Sequence, residues 1–406
     1  MFAYWSEEMM QKSTTPVIVS AVRTPVGKYG RALKDFTATD LGSRVVREAV
    51  VRATLNSESV DEVIMGQVLQ AGVGQAPARQ AAILAGLPVE IPALTVNKVC
   101  GSGLKAVMLA AQAVRAGDVE VVVAGGMESM SNVPYYLPKG RFGYFYGSGK
   151  VLDGVEYDGL LDAYNGVLMG MTGEIVAQRF GVSREQADNY ALRSHQRAVT
   201  AAEQGFFDAE LLPVETTDRK GQTTVISLDD GPRKDTSLEL LSKLKPAFKK
   251  DGVVTAGNAS SLNDGASAVV VVSARKAEEL DLRPLAIISA YHSNGVKPDL
   301  VMEAPIHGVR HILDKTGLQV DDFDLFEHNE AFATASVAVQ QELDIPEDKF
   351  NVNGGAIALG HPLGCSGARV LTTLVHELIR RKGHRGLATL CLGGGNAVTM
   401  IVERPE

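Results

Sequence analysis

The sequence predicts an α/β protein built from two similar halves. Short apolar segments, each long enough for one buried strand, alternate with segments in which apolar residues recur at helical spacing. This alternation favours layers of helices on sheets, with mainly parallel strand pairing. Four segments of the first half also recur in the second half in the same order, which indicates an internal duplication. We expect the two halves to bury their sheets by packing against each other.

The first half begins with a short buried strand that follows a proline. Thr37 to Asp40 resembles a capping box and opens the first helix, and Gly117 is placed to stop the helix that follows Cys100. The expected elements of this half are, in order, a strand at 16–22, a helix from 37 to about 55, a strand reached from 60–65, a helix at 74–84, an apolar segment at 91–99, a helix after 101–103 and a strand at 119–125.

The second half repeats this order. The matched segments are 18–22 with 287–291, 60–63 with 320–323, 100–103 with 364–367, and 120–126 with 386–394. The expected divisions of the chain are an N-terminal extension at 1–14, an N-terminal half at 15–126 that is completed by about 256–280, an inserted segment at 127–255, and a C-terminal half at 281–406.

The inserted segment differs from both halves in composition. Its run from Tyr135 to Tyr146 concentrates aromatic residues among glycines, which is typical of a packed excursion or a subunit contact, with a substrate-channel wall as the alternative. A second capping box, Ser183 to Gln186, opens a helix to about Gly205. The lysines between 243 and 250 form a basic cluster, which is usual for a solvated surface; a polyphosphate ligand is the competing explanation.

Composition and charge argue against several classes of protein. A chain of 406 residues with 45% hydrophobic content can bury a large core, and a net charge of -8 gives no support for nucleic-acid binding. The three cysteines fit neither a disulfide framework nor a zinc motif, so we expect a reducing compartment and no metal. No apolar run approaches the roughly 20 residues of a membrane span, and residues 1–14 lack a signal-peptide pattern. We therefore expect a soluble, cytoplasmic protein.

Cys100 stands where the apolar segment 91–99 ends and a helical pattern begins. Partial positive charge at a helix N-terminus stabilises a thiolate, and the flanking Gly101 and Gly103 would let a substrate approach the backbone closely. The alternative is a buried cysteine that acts as a small hydrophobic residue. Cys365 opens the corresponding helix of the repeat and is a rival nucleophile, for which we favour a structural role.

Three further segments supply groups that complement a thiol. His361, surrounded by glycines, can serve as the base for Cys100, although a structural histidine is the alternative. Asn329 follows an apolar strand, where functional groups collect in α/β sheets, and capping of the next helix is the alternative there. Cys391 ends another apolar strand and can act as a second base beside a thioester. The backbone N–H groups of Cys100 and Gly393 can form an oxyanion hole.

These motifs together resemble the thiolase family, and the resemblance extends from Val17 to about Glu403. It implies the duplicated five-layer α-β-α-β-α thiolase fold, with the inserted segment as a loop domain that covers the coenzyme A site. The motifs that carry it are Asn97-Lys-Val-Cys-Gly-Ser-Gly103, Asn329-Glu-Ala-Phe-Ala333, Gly354-Gly-Ala-Ile-Ala-Leu-Gly-His-Pro362 and Cys391-Leu-Gly-Gly-Gly395.

The resemblance also implies ping-pong acyl transfer with coenzyme A (CoA) as a substrate and no permanently bound cofactor. Cys100, activated by His361, would take the acyl group from one acyl-CoA. Cys391 would deprotonate acetyl-CoA in condensation, or protonate the leaving enolate in thiolysis. Asn329 would hold a water that forms one oxyanion hole with His361, and the N–H groups of Cys100 and Gly393 would form the other.

Eight positions match the CoA contacts of the family. Among them, Arg233 would meet the nucleotide end and Ser260 the pantetheine. The full set is Arg233, Leu244, Ala247, Phe248, Ala256, Ser260, Met169 and Phe332. Two departures concern chain length, because short-chain biosynthetic members usually have a histidine at the position of Leu168 and a serine at that of Leu240. The expected substrate is therefore acetoacetyl-CoA or a longer 3-ketoacyl-CoA.

Two other functions are compatible with this fold. A decarboxylating condensing enzyme of the ketoacyl-synthase kind shares it, but has histidines or an asparagine where this chain has Cys391. A catalytically idle acyl-CoA-binding protein is the second alternative. A metal site made from Cys100, His361 and Cys391 has no support in their spacing. By family likeness, we expect a homodimer or homotetramer that acts in fatty-acid and lipid metabolism.

Overall fold

The computed structural model describes residues 13–217 and 221–405, so the expected extension at 1–14 lies almost wholly outside the described residues. Within these ranges, no helix is long and apolar enough to cross a membrane.

The strands are β1 (Pro16–Arg23), β2 (Gly27–Lys28), β3 (Glu62–Gly66), β4 (Ala93–Val96), β5 (Val121–Ser129), β6 (Tyr135–Tyr136), β7 (Leu152–Asp153), β8 (Val214–Thr217), β9 (Thr223–Ile226), β10 (Asn263–Ser273), β11 (Ala286–Gly295), β12 (Leu325–His328), β13 (Arg385–Leu392) and β14 (Asn396–Glu403). The helices are α1 (Ala38–Arg52), α2 (Pro77–Leu84), α3 (Ser102–Ala116), α4 (Met169–Phe180), α5 (Arg184–Glu203), α6 (Leu238–Ser242), α7 (Ala274–Glu279), α8 (Ala304–Thr316), α9 (Ala333–Glu342), α10 (Ala356–Leu359) and α11 (Leu363–Arg381).

The strand order displays the predicted duplication. The large sheet runs β12-β13-β14-β11-β1-β10-β5-β3-β4, with β2 added beside β10. Read outward from the join between β1 and β11, each half has the same sequence of partners: β1-β10-β5-β3 on one side and β11-β14-β13-β12 on the other. The join itself is short, with Val17 opposite Ile287 and Ile18 opposite Ala286. Matched sequence segments therefore occupy equivalent places in the two halves.

The prediction of mainly parallel pairing is wrong. Only β3 with β4, β3 with β5, and β12 with β13 run parallel among the described strands of the large sheet. The central pairs are antiparallel. β13 and β14 pair in this way because β13 turns directly into β14 through 393–395, where Gly394 and Gly395 have positive φ. In the first half, β5 and β10 form the equivalent antiparallel pair, and the chain between them leaves the hairpin for more than one hundred residues. The inserted segment therefore stands in the first half where the second half has the tight turn at 393–395.

Helices cover the two halves in layers. α3 and α11 pack on each other between the halves, and a single apolar cluster joins them to strands of both. α1 and α2 pack on the outer face of the first half, and α8 and α9 lie with the second half. β5 and β10 are buried along their whole length, as expected for strands covered on both faces.

Both predicted capping boxes are confirmed. The Thr37 hydroxyl accepts from the Asp40 N–H at 3.1 Å while the Asp40 carboxylate accepts from the Thr37 N–H at 3.0 Å, so two otherwise unpaired donors at the start of α1 are satisfied. Ser183 and Gln186 make the same exchange at the start of α5.

The aromatic run of the inserted segment is exposed. Phe142, Phe145 and Tyr146 are 92%, 105% and 98% exposed, so the interpretation of 135–146 as a packed excursion is wrong for this chain alone. Helices α4 and α5 of the inserted segment pack against the second half, where both contact α9 and α5 also contacts α10. Glu210 and Asp229 of the same segment bind Arg23 of the first half.

Candidate active site

Cys100 stands on a tight turn between β4 and α3, as predicted. Val99 has a φ of 48°, in the left-handed region that a β-branched residue rarely adopts. Two side chains hold this turn: Oδ1 of Asn97 accepts from the Val99 N–H at 3.0 Å, and the Ser102 hydroxyl donates to the Val99 carbonyl at 2.6 Å. The Ser102 hydroxyl also accepts from the Lys98 N–H at 2.8 Å. Backbone strain is thus concentrated at the residue next to Cys100 and stabilised on both sides.

The glycines beside Cys100 serve packing rather than the close approach of a substrate. A Cβ at Gly101 would lie 1.9 Å from Cδ2 of Leu392, and one at Gly103 would lie 2.7 Å from the backbone nitrogen of Ala368. The first contact brings the end of β13 against the Cys100 turn, and the second lets α3 approach α11. The expectation that Gly101 and Gly103 let a substrate approach the backbone closely is therefore wrong, because Leu392 and α11 occupy the space beside them.

The thiol of Cys100 is uncharged in the free protein. Burial raises its pKa to about 11, although the backbone N–H groups of Gly393 and of Cys100 itself pull in the opposite direction. The same two N–H groups were expected to form an oxyanion hole, and both lie within hydrogen-bonding reach of the thiol. Burial outweighs the helix terminus, so Cys100 needs a base when it attacks.

His361 lies at the start of α11 and is oriented by two hydrogen bonds. Its Nδ1 is 2.6 Å from Oγ of Ser366, and its backbone N–H donates to Oδ1 of Asn263 at 3.0 Å. Burial, with a smaller contribution from Arg369, lowers the pKa of His361 to about 3, so the ring is neutral in the free protein. Ser366 was not identified as a site residue from the sequence.

Asn329 is buried directly beside His361. Its Nδ2 lies 3.5 Å from Nε2 of His361, and its Oδ1 has no hydrogen-bond partner among the residues that the structure describes. Buried amide oxygens are seldom left without a partner in proteins, so this atom is suited to binding a water or a substrate group. The interpretation of Asn329 as a helix cap is wrong, because no side chain caps the N-terminus of α9.

Glu330, the neighbour of Asn329, joins three segments. Its buried carboxylate accepts from the hydroxyls of Tyr190 and Ser194 at 2.9 and 2.6 Å, from Nδ2 of Asn351 at 3.0 Å and from the Ile357 N–H at 3.2 Å. These donors come from α5 of the inserted segment and from the chain that leads to His361. Glu330 therefore ties both to the strand end that carries Asn329.

Cys391 ends β13 and lies close to Cys100. Burial raises its pKa to about 12, and the neighbouring Cys100 acts in the same direction. Its Sγ is 3.6 Å from Sδ of Met302, a neighbour that sequence reasoning missed because Met302 belongs to no motif. Gly393 follows two residues later, where a Cβ would lie 3.2 Å from Cγ1 of Val99.

One cavity of about 170 Å³ brings the predicted groups together. Cys100, His361, Cys391 and Gly393 all line it. Its other walls are mostly apolar: Met130, Gly159, Leu160, Leu168, Met169, Gly170, Phe248, Ala259, Ser260, Ser261, Leu262, Val301, Met302, Ala331, Phe332, Leu363 and Leu392. Cys365 does not line the cavity; it is buried on α11, and burial raises its pKa to about 12.

The predicted CoA positions divide into two groups. Met169, Phe248, Ser260 and Phe332 line the cavity, and the rings of Phe248 and Phe332 meet edge to face at 6.3 Å. The other group is exposed and lies outside the cavity lining: Arg233, Leu244, Ala247 and Ala256. The structure describes no group of three or more His, Cys, Asp or Glu residues placed to hold a metal ion.

Comparisons with known proteins identify the fold and the relatives of this chain. Residues 16–275 match the family model for the thiolase N-terminal domain, and residues 282–404 match that for the thiolase C-terminal domain. A Pseudomonas aeruginosa protein named acetyl-CoA acetyltransferase is 53% identical over 388 residues, which cover 96% of this chain and 99% of the relative. A Staphylococcus aureus protein named probable acetyl-CoA acyltransferase is 49% identical, with 96% and 99% covered.

A solved structure gives the same result for the fold. The crystal structure of the Bacillus anthracis acetyl-CoA acetyltransferase superposes with a TM-score of 0.94 at 43% sequence identity, covering 96% of this chain and 98% of that chain.

Proposed function

The chain belongs to the thiolase family, and we propose that it is an acetyl-CoA C-acyltransferase. It catalyses the reversible CoA-dependent thiolysis of 3-ketoacyl-CoA and, in the other direction, the Claisen condensation of acetyl-CoA. The reaction is ping-pong, with an acyl group carried on Cys100. The observation that carries this proposal is that two thiols, one neutral imidazole and the N–H of Gly393 meet at one cavity. The names of the relatives support the same activity.

In the first half-reaction, the thiol of Cys100 gives its proton to His361 as Sγ attacks the ketone carbon of the 3-ketoacyl group. The oxygen of this carbon becomes an oxyanion, which accepts hydrogen bonds from the N–H groups of Cys100 and Gly393. When the tetrahedral centre collapses, the bond between C2 and C3 breaks. The acyl group stays on Cys100, and acetyl-CoA leaves as its enolate.

The enolate requires a proton and a second oxyanion site. Cys391 supplies the proton to C2, since burial keeps its thiol protonated until a carbanion forms beside it. The thioester oxygen of the enolate is stabilised by the protonated His361 and by a water held on Asn329. The unpartnered, buried Oδ1 of Asn329 supports that role.

The second half-reaction regenerates the enzyme. A CoA thiol gives its proton to the Cys391 thiolate and attacks the acyl-Cys100 thioester. The new tetrahedral oxyanion uses the hole formed by Cys100 and Gly393 again. The C–S bond to Cys100 then breaks, and its sulfur takes the proton back from His361. Both cysteines and the histidine end in their starting states.

CoA enters along the inserted segment. Met169, Phe248 and Phe332 would contact the thioester arm and Ser260 the pantetheine, because all four line the cavity. The exposed lysines between 243 and 250, which flank Phe248 in the chain, and the exposed Arg233 are suited to the phosphates and nucleotide outside the cavity. We also propose that residues 127–255 form a loop domain that covers the CoA site.

The remaining expectations concern the surroundings of the enzyme. We propose a homodimer or homotetramer, and the exposed aromatic side chains between 135 and 146 support a contact between subunits. A cytoplasmic role in fatty-acid metabolism completes the proposal.

The test compares thiolysis and the transfer of an acetyl group in the wild-type protein and two single variants. Cys100→Ala should lower kcat for thiolysis on the order of a thousandfold, and mass spectrometry of wild-type protein incubated with acetyl-CoA should find the acetyl group on Cys100. Cys365→Ala is the matched control and should retain both activities. Undiminished thiolysis in Cys100→Ala would defeat the proposal. Decarboxylation of malonyl-CoA would favour the condensing-enzyme alternative, and the absence of any acetyl-enzyme would favour an idle binding protein.

A further inference from the structure

We propose that Glu128 is a positioning residue, which holds the Cys100 turn and the segment of His361 at the spacing that proton transfer between them requires. The steps of the reaction use no acidic side chain, yet this carboxylate is fully buried near the end of β5. The inference rests on the proposed function and adds a residue to its machinery. Glu128 does not line the catalytic cavity, so it acts through the backbone segments that it binds.

The carboxylate of Glu128 joins two segments that come from opposite halves of the chain. Its Oε2 accepts from the backbone N–H groups of Val68 at 3.0 Å and of Gly364 at 2.8 Å, and its Oε1 accepts from the Leu69 N–H at 3.2 Å. Residues 68–69 follow β3 in the first half, whereas Gly364 is the second residue of α11, three positions after His361. The first N–H groups of a helix have no partner within it, so a carboxylate is well placed at this N-terminus.

The two segments approach closely where the carboxylate holds them. A Cβ at Gly364 would lie 2.8 Å from Cα of Gln67 and 3.0 Å from Oε2 of Glu128, so this position has room for glycine only. A Cβ at Gly126, on the same strand as Glu128, would lie 1.9 Å from the carbonyl oxygen of Gly364. The start of α11 is therefore packed against the backbone of the first half, and Glu128 fixes the contact by hydrogen bonds on both sides.

Further hydrogen bonds carry the connection from Val68 to the Cys100 turn. The Val68 carbonyl accepts from Nδ2 of Asn97 at 3.3 Å, and Oδ1 of the same amide accepts from the Val99 N–H at 3.0 Å. Val99 is the strained residue of the turn, with a φ of 48°. Four hydrogen bonds in series therefore run from the Cys100 turn, by way of Glu128, to the start of α11.

The spacing of these two segments matters for the reaction. His361 must take the proton of Cys100 as its sulfur attacks, and proton transfer requires donor and acceptor within hydrogen-bonding reach. A displacement of about 1 Å between reacting groups can slow a reaction roughly a hundredfold. The groups that we assign to CoA, such as Phe248 and Ser260, lie on other segments. A change at Glu128 should therefore lower kcat and leave KM almost unchanged.

The experiment separates the reach of the side chain from its charge. Glu128→Asp keeps the charge but withdraws the carboxylate by one methylene group, whereas Glu128→Gln keeps the reach and still accepts from Val68 and Gly364. For thiolysis of the 3-ketoacyl-CoA that the wild-type enzyme cleaves fastest, we expect kcat to fall about a hundredfold in Glu128→Asp and about fivefold in Glu128→Gln, with KM changed less than about twofold. Burial raises the pKa of Glu128 to about 7, so assays at about pH 8 keep the wild-type carboxylate mostly ionised. Glu377→Asp, which shortens a buried carboxylate near the other end of α11, is the matched control and should lower kcat less than about twofold.

A double-variant cycle tests the path through Asn97. Asn97→Ala alone should lower kcat about tenfold, and its combination with Glu128→Asp about a hundredfold, because both act through the peptide of Val68; independent residues would lose about a thousandfold. If Glu128→Asp does not fold, the cycle is run with Glu128→Gln, and the double variant should match Asn97→Ala within about twofold. A crystal structure of Glu128→Asp gives a readout apart from activity: Sγ of Cys100 and Nε2 of His361 should lie at least about 0.5 Å further apart than in the wild-type crystal.

Three results would each overturn the inference and leave the proposed function intact. In the first, Glu128→Gln loses as much kcat as Glu128→Asp, so that charge and not reach is what matters. In the second, the losses of the two single variants multiply in the double variant. In the third, the distance between Cys100 and His361 is the same in Glu128→Asp and wild-type crystals. A wild-type protein that cleaves no 3-ketoacyl-CoA would instead defeat the proposed function, and this inference with it.

Discussion

Nδ1 of His361 lies 2.6 Å from Oγ of Ser366, and the same hydroxyl lies 2.9 Å from the carbonyl oxygen of Pro362. A hydroxyl has one hydrogen, and here the carbonyl takes it, so Oγ of Ser366 must accept from an Nδ1–H. The other ring nitrogen, Nε2, is then unprotonated and faces the side of Asn329. Ser366 thus selects the tautomer in which His361 can act as a base.

Ser366→Ala should therefore impair proton transfer more than folding. We expect kcat for thiolysis to fall by roughly a hundredfold with KM little changed, because the ring is free to adopt the wrong tautomer. Nitrogen-15 NMR of labelled histidine should show a mixture of tautomers. Ser336→Ala is the matched control, since Ser336 is a buried serine 3.1 Å from Nδ1 of His328. An equal loss of activity in both variants would show that the effect is structural.

The strained turn at Val99 gives a second prediction. Asn97→Ala removes the acceptor for the Val99 N–H, and we expect kcat and the rate of alkylation of Cys100 by iodoacetamide to fall roughly tenfold. Adding Val99→Gly to this variant should restore part of the loss, because glycine adopts positive φ without strain. If the double variant is as slow as the single one, Asn97 does not act through the turn.

The buried carboxylate of Glu330 gives a third. Glu330→Gln keeps the shape but turns one acceptor into a donor that faces the donors from α5 and from 351–357, so we expect a loss of about 2 kcal/mol or more in the free energy of unfolding. Urea titration measures it. Glu342→Gln, which breaks an exposed pair with Arg310, should cost less than about 1 kcal/mol. If Glu330→Gln and Glu342→Gln lowered the free energy of unfolding equally, the buried hydrogen bonds of Glu330 would not stabilise the fold as we expect.

Acid stability gives a fourth. Burial lowers the pKa of His328 from 6.5 to about 3, so below pH 6.5 the unfolded chain binds a proton that the folded protein does not. Stability is therefore complete above pH 6.5 and falls as the pH decreases toward 3, by roughly 2 kcal/mol from this group at pH 5. His328→Phe should flatten the dependence of the unfolding free energy on pH between 6.5 and 4. The control is His307→Phe, at an exposed histidine. If His328→Phe left the pH dependence of the unfolding free energy unchanged, the prediction would be contradicted.

Much of the site was predictable because its groups lie in short motifs with strong local signals. Cys100 before a helix, His361 among glycines and the glycines after Cys391 each carry their own pattern, and the cavity brings these segments together. Ser366 and Met302 were not predicted. Met302 meets Cys391 from a part of the chain 89 residues away, and the orientation of the Ser366 hydroxyl toward His361 depends on how the chain folds before α11, so no local pattern indicates either contact.

The sequence by itself determined the α/β class, the duplication and the capping boxes, and it supplied the candidate reacting groups, since all of these can be read from patterns in the order of residues. Tertiary structure alone decided that the central strands pair antiparallel, that Gly101 and Gly103 admit Leu392 and α11 rather than a substrate, and that burial keeps Cys100 protonated and His361 neutral. The physical reason is common to all of these: partner strands, packing neighbours and loss of solvent are set by residues far apart in the chain, and a local pattern does not contain them.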